Sequence, residues 1–168
     1  MSNIVQISDF KGQYYVAVNS SASAHFQSII DSSESDYLTN LMGTDLKALF
    51  IANLVSGVPT DVNYLKFYNP YSELYLGENL HSKGLKEVLI GLVYNDYLQR
   101  DNYTHSLTGV ISNQNENSNV LTAQETSRFA ESRRNNIVES YNMIGRKIKE
   151  LELYIYSDVI EMTFLDLF

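Results

Sequence analysis

The sequence predicts a mainly α-helical chain, and three observations carry that prediction. Apolar residues recur at three- and four-residue spacing in four separate stretches. Each stretch is bounded by a Gly, a Pro or a capping pattern. Both prolines, Pro59 and Pro70, fall between those stretches and not inside them. The expected architecture is a four-helix bundle with a short N-terminal extended arm, a long loop and a β-like C-terminal tail. Arm, helical part and tail are expected over 1–20, 21–153 and 154–168.

The arm comes first. Gln13–Val18 is short, aromatic and β-branched, stands after Gly12 and runs into a polar Asn-Ser-Ser stretch, which predicts an extended arm or edge strand. The first helix is expected over about 23–42. Phe26, Ile29, Ile30, Tyr37, Leu38 and Leu41 form its stripe, with Ser33 and Glu34 filling one gap. Gly43 then stands where a left-handed residue ends a helix. Thr44 can cap a second helix, about 45–56, whose apolar face would be Leu46, Leu49, Phe50 and Leu54. Two helices meeting at one Gly predict a tight corner.

Between Pro59 and Leu80 stand Tyr64, Phe67, Tyr68, Tyr71 and Tyr75. This composition predicts an ordered connection that packs through its rings. A third helix, about 83–100, carries Leu85, Val88, Leu89, Leu92, Val93 and Tyr97 on one face. Gly84 and Gly91 are both read as lying within it, at close helix packing. A projecting loop over 101–121 follows, ending in the polar run Ser112–Asn119, with a small hairpin as one reading. Thr122 to Glu125 match a capping box. They open the longest helix, about 123–153, with Phe129, Ile137, Tyr141, Ile144, Ile148 and Leu151 on its buried side and Arg133 in one slot.

Composition narrows the function. With 168 residues, 44% of them hydrophobic, one domain can close a core. Cys is absent, so disulfides and thiolate metal sites are excluded. No apolar run reaches the 18 or more residues of a membrane span, and Met1–Phe10 has no signal-peptide pattern; cytoplasmic synthesis is expected. The net charge is −8 and the first Arg is Arg100, which argues against DNA binding through phosphate neutralisation. An acidic surface serves solubility, or lets DNA pass without sticking. Thirteen Tyr and no Trp suit either half-buried packing or protein contact surfaces.

No catalytic constellation stands out. His25, His81 and His105 are far apart and match no metal spacing, and no phosphate loop, dinucleotide fingerprint or nucleophile elbow occurs. The expectation is a protein without enzymatic activity, cofactor or metal. Carboxylate pairs such as Asp31/Glu34 and Glu150/Glu152 are read as solvated faces. In the last helix, pairs such as Arg146/Glu150 balance most of the basic cluster, leaving Arg133 and Arg134 as candidate interface residues. After Leu153 the helical spacing stops. Tyr154, Tyr156, Phe164, Leu165, Leu167 and Phe168 make an apolar, aromatic end. Such a tail either folds back on its own helices or docks on a partner, as an added strand or a groove anchor. Docking is the expectation, and these six residues are its candidates.

Three segments resemble the head–tail connector (neck or adaptor) proteins of tailed bacteriophages. Asp9–Val18 (DFKGQYYVAV) is similar to the family's KG-aromatic opening strand. It is followed by a helix ending in a corner built here from Tyr37, Leu38, Leu41, Met42 and Gly43. Leu85–Thr122 resembles the central helix and long polar loop, and Arg133–Leu151 the closing helix, with Asn135–Asn142 as an N-x5-Y-N pattern. The likeness spans roughly Asp9–Leu153 and looks closest in flavour to connectors of Bacteroidetes phages, the crAss-like group included. It implies a virion structural protein of the neck, a ring homo-oligomer, usually dodecameric, joining the portal to the tail and lining the DNA channel. It also implies that the C-terminal segment and inter-helix loops bind the portal or the adjacent neck or tail ring. The alternative from composition and patterning alone is a cytoplasmic helical scaffold or regulatory module that binds one protein partner through its tail.

Overall fold

A computed structural model describes residues 4–16, 23–75, 77–101, 103–106, 109–112 and 123–151, with side chains over 4–16, 23–74, 77–98 and 134–151. The chain is mainly helical. Among the described residues there are four helices, α1 (Ser23–Ala52), α2 (Val62–Tyr68), α3 (Leu85–Asp101) and α4 (Ala123–Glu150). Three two-stranded antiparallel hairpins stand between them: β1 (Leu54–Val55) with β2 (Val58–Pro59), β3 (Tyr71–Tyr75) with β4 (Glu78–Ser82), and β5 (Tyr103–Ser106) with β6 (Gly109–Ser112).

The stripes predicted from sequence line one core. Phe26, Ile29, Ile30, Leu38, Leu41, Met42, Leu46 and Phe50 of α1 are buried with Leu85, Val88, Leu89, Leu92 and Val93 of α3 and Ile137, Tyr141, Ile144 and Ile148 of α4. The corner falls where expected. Gly43 has φ 71° and ψ 173°, a region open in practice to Gly alone, so α1 turns there into arms 23–42 and 44–52. Lys47 of the second arm reaches back and donates to Ser35 O at 2.8 Å and Thr39 Oγ1 at 2.8 Å. Where α3 crosses α4, a Cβ on Gly91 would stand 2.5 Å from Ile137 Cδ1, the close packing predicted for it.

Several expectations need correction. The second arm ends at Ala52 and not at 56, because Ser56 (φ 52°) and Gly57 (φ 80°) form the tight turn of β1–β2. Leu49, expected on the buried face, is 63% exposed. The connection after Pro59 is ordered, but it contains α2 and the β3–β4 hairpin, with Tyr64, Phe67 and Tyr68 buried. Gly84 precedes α3 instead of lying within it. Its φ is +82°, and a Cβ there would meet Tyr68 O at 2.6 Å and Asn69 C at 2.7 Å.

The extended segment expected over Gln13–Val18 is corrected for Gln13 and Tyr14, Tyr15 has extended backbone, and residues 17–18 lie outside the described residues. Ile7–Asp9 and Gly12–Tyr14 are 3-10 turns, and Ile4, Val5, Phe10 and Tyr14 belong to the core. Phe10 meets Phe26 edge-on at 4.7 Å, and Tyr14 meets Tyr94 at 5.6 Å. These contacts bury the rings that a free arm would expose. The capping-box Thr122 and residues 113–119 of the polar run lie outside the described residues, as does the Phe129 side chain, while Ser112 closes β6.

Candidate functional site

Gly84 shapes one concavity of the surface. Its left-handed backbone presses the β4–α3 entry against the α2–β3 junction, while buried Ser82 accepts from the Gly84 N–H at 3.2 Å. Beside this junction lies an open groove of about 900 Å³ whose walls include Tyr68, Pro70, Tyr71 and Ile90. The N-terminal turns close one side, where Lys86 of α3 pairs with Asp9 at 3.0 Å. Lys11, His81 and Lys83 also line it. Burial pushes the Tyr71 hydroxyl up, with the Glu73 carboxylate adding to the shift. Burial likewise raises Tyr68, helped by Asp9 and Glu34.

Ser72 Oγ and His81 Nδ1 stand 2.7 Å apart across the β3–β4 hairpin, where they are register partners. Activating a serine requires a base that a third group orients. No described carboxylate is hydrogen-bonded to this ring, so the arrangement is that of an exposed cross-strand bond. Among the described residues no group of three or more His, Asp or Glu is placed to hold a metal ion, and no helix is long and apolar enough to cross a membrane.

A second polar feature involves the start of the described chain. Glu34 is buried, and its two carboxylate oxygens accept the N–H groups of Ile4 at 3.1 Å and Val5 at 2.9 Å. It was expected on a solvated face with Asp31. The signal for burial was its position, four residues after Ile30 and four before Leu38 on the apolar stripe. Burial raises the Glu34 pKa, and the two N–H bonds pull it partway back. Nearby, Asp96 of α3 accepts from Ser33 Oγ at 2.5 Å and Tyr37 OH at 2.8 Å, fastening α1 to α3. Asp96 carried no sequence signal.

The predicted contact residues fare differently. Tyr154, Tyr156, Phe164, Leu165, Leu167 and Phe168 lie outside the described residues, as does the side chain of Arg133. Arg134 is half-buried on α4. Glu150 holds Lys147 at 2.7 Å. An aliphatic surface that sequence patterning did not anticipate gathers where α1 ends. Leu49, Val55, Val58 and Val62 are all exposed there, around Asn53, whose Oδ1 accepts the N–H groups of Thr60 and Asp61 at 2.8 Å each. Comparisons of the chain with protein-family models, curated proteins and solved structures gave no match.

Proposed function

We propose that this chain is a structural component of the neck of a tailed-phage virion. In this reading it is a connector-type helical bundle that forms a ring, joins the portal to the tail and lines the channel through which DNA passes. It catalyses no reaction and needs no cofactor. The observation that carries the reading is the helical corner at Tyr37–Gly43. The pattern on which the family resemblance rests coincides with a buried Leu38, Leu41 and Met42 and a left-handed Gly43.

A ring of identical subunits needs two different, complementary faces on each copy and a body stiff enough to hold their angle. A corner locked by one glycine and stapled by Lys47 supplies stiffness of that kind. A net charge of −8 disfavours adhesion to passing DNA. Tyr154, Tyr156, Phe164, Leu165, Leu167, Phe168, Arg133 and Arg134 are proposed as contacts to the portal or to an adjacent neck or tail ring. Assembly would follow synthesis in the host cytoplasm.

The test is to look for a portal gene beside this one, co-express its product with this chain and examine the purified portal by electron microscopy. A closed ring of this chain on the portal, expected to be dodecameric, is the predicted outcome. No affinity for that portal, together with a gene far from any capsid gene, would leave the scaffold or regulatory reading in its place.

A further inference from the structure

The groove and the end of the chain complement each other in charge and in apolarity. Tyr68, Pro70, Tyr71 and Ile90 give the groove an apolar lining, and on its edges Lys11, Lys83, Lys86 and His81 outnumber the acids Asp9 and Glu87. Among the described residues Lys86 is engaged by Asp9, whereas Lys11 and Lys83 have no ion-pair partner. Residues 152–168 contain Glu152, Asp158, Glu161 and Asp166 but no Lys, Arg or His, and interleave these acids with aromatic and aliphatic residues through Phe168. In a chain of net charge −8, an unpaired basic edge on an apolar groove is a scarce surface for such a segment.

The place where that segment begins is equally suggestive. α4 ends at Glu150, and Leu151 packs against the core. One turn earlier, Lys147 lies 3.8 Å from Glu73 and 5.8 Å from the ring centre of Tyr71, a wall of the groove. Residues 152–168 therefore start within a few residues of the groove, and extended they would reach on the order of 50 Å. Tethering gives a short segment an effective concentration in the millimolar range, roughly, at a nearby site.

We propose that in the free protein residues 152–168 lie in the groove of their own chain. Their apolar side chains would pack on Tyr68, Pro70, Tyr71 and Ile90, and their carboxylates would face Lys11 and Lys83. The inference does not depend on the neck reading. Where both hold, a partner must draw the segment out of the groove to bind it, which couples release to assembly.

The chain has no Cys, so paired substitutions report position cleanly. Ser72→Cys with Phe164→Cys places one thiol at the groove and one in the segment. Asp45→Cys with Phe164→Cys is the comparison, because Asp45 is exposed and outside the groove. In dilute full-length protein under mild oxidation, the groove pair should form an intramolecular disulfide about tenfold faster than the comparison pair. Adding Lys11→Glu and Lys83→Glu, or raising the salt, should slow it severalfold, roughly. A second groove pair, Gln13→Cys with Leu167→Cys, guards against loss of the Ser72–His81 bond. Disulfides between chains would show a second copy as the occupant and overturn the proposal. Equal rates for groove and comparison pairs would overturn it as well. Neither result bears on portal binding, which the ring experiment reads separately.

Discussion

Glu34 joins two parts of the chain thirty residues apart, since it accepts the backbone N–H groups of Ile4 and Val5. Replacing it with Gln keeps the shape but leaves one of those amides facing an NH2 group. A buried donor left without an acceptor costs about 1–3 kcal/mol, and Glu34→Gln should lower the unfolding free energy by that order. The cost should also depend on pH. Burial, opposed by the two amides and by Lys47 and reinforced by Asp31, holds the folded-state pKa above the ordinary 4.5. The folded chain thus binds this proton more tightly than the unfolded chain. Glu34's contribution is therefore full below 4.5 and is lost as pH rises through the raised folded value. Urea unfolding of both proteins across that window should show the Gln variant losing more, relative to wild type, at the acid end. A gap that widens toward alkaline pH would refute the assignment.

Among the elements, the junctions are more exacting than the helices they join. Gly84 and Gly91 are seven residues apart, and a methyl group at either would collide with something. At Gly84 the obstacle is backbone, Tyr68 O and Asn69 C, and φ is positive. At Gly91 it is the tip of the Ile137 side chain, which can rotate, with Tyr14 OH next at 3.2 Å. Gly84→Ala should cost about 1–3 kcal/mol from backbone strain, before the steric clash is counted. Gly91→Ala should be milder, because a side-chain shift relieves most of it. Thermal unfolding of the two variants checks the order. If Gly91→Ala proves the worse, the rigid junction lies at the α3–α4 crossing and not at the entry to α3.

For the whole molecule, the two chain ends should behave oppositely. Ile4 and Val5 are 1% and 0% exposed, and each buried aliphatic side chain contributes about 1.5–3 kcal/mol. Deleting residues 1–5 strips both from the core and leaves buried Glu34 without its amides, so a large drop in melting temperature is expected. Deleting residues 161–168 should instead leave the helical body folded, because its core is closed by α1, α3, α4 and the N-terminal turns. Circular dichroism should then show retained helix and a melting temperature lowered only by the loss of the groove contacts, far less than the N-terminal deletion lowers it, with partner association lost. If the C-terminal deletion unfolds the protein, the segment is an integral part of the core and its role as a docking element is excluded.

The parts legible in the sequence are those whose partners are close along the chain. The stripes of α3 and α4, the α1 corner at Gly43 and the close contact at Gly91 follow from helical periodicity and the steric limits on one residue. The periodicity and the Gly43 turn are set within a few positions, and Gly91 is read from its own lack of a side chain although the Ile137 it meets belongs to another helix. The parts that were not legible depend on where distant segments meet. Gln13 to Val18 has the composition of a strand, yet its first residues close a 3-10 turn because Tyr14 finds a pocket against Tyr94 and Gly91. Glu34 stands on the apolar stripe, but the partners of its carboxylate, the Ile4 and Val5 amides, are known only once the N-terminal turns fold onto α1. The groove exists only because Gly84 lets α3 begin against the α2–β3 junction. Local backbone preferences determine which elements form, but the free energy of burying a residue depends on neighbours that only the closed tertiary fold supplies.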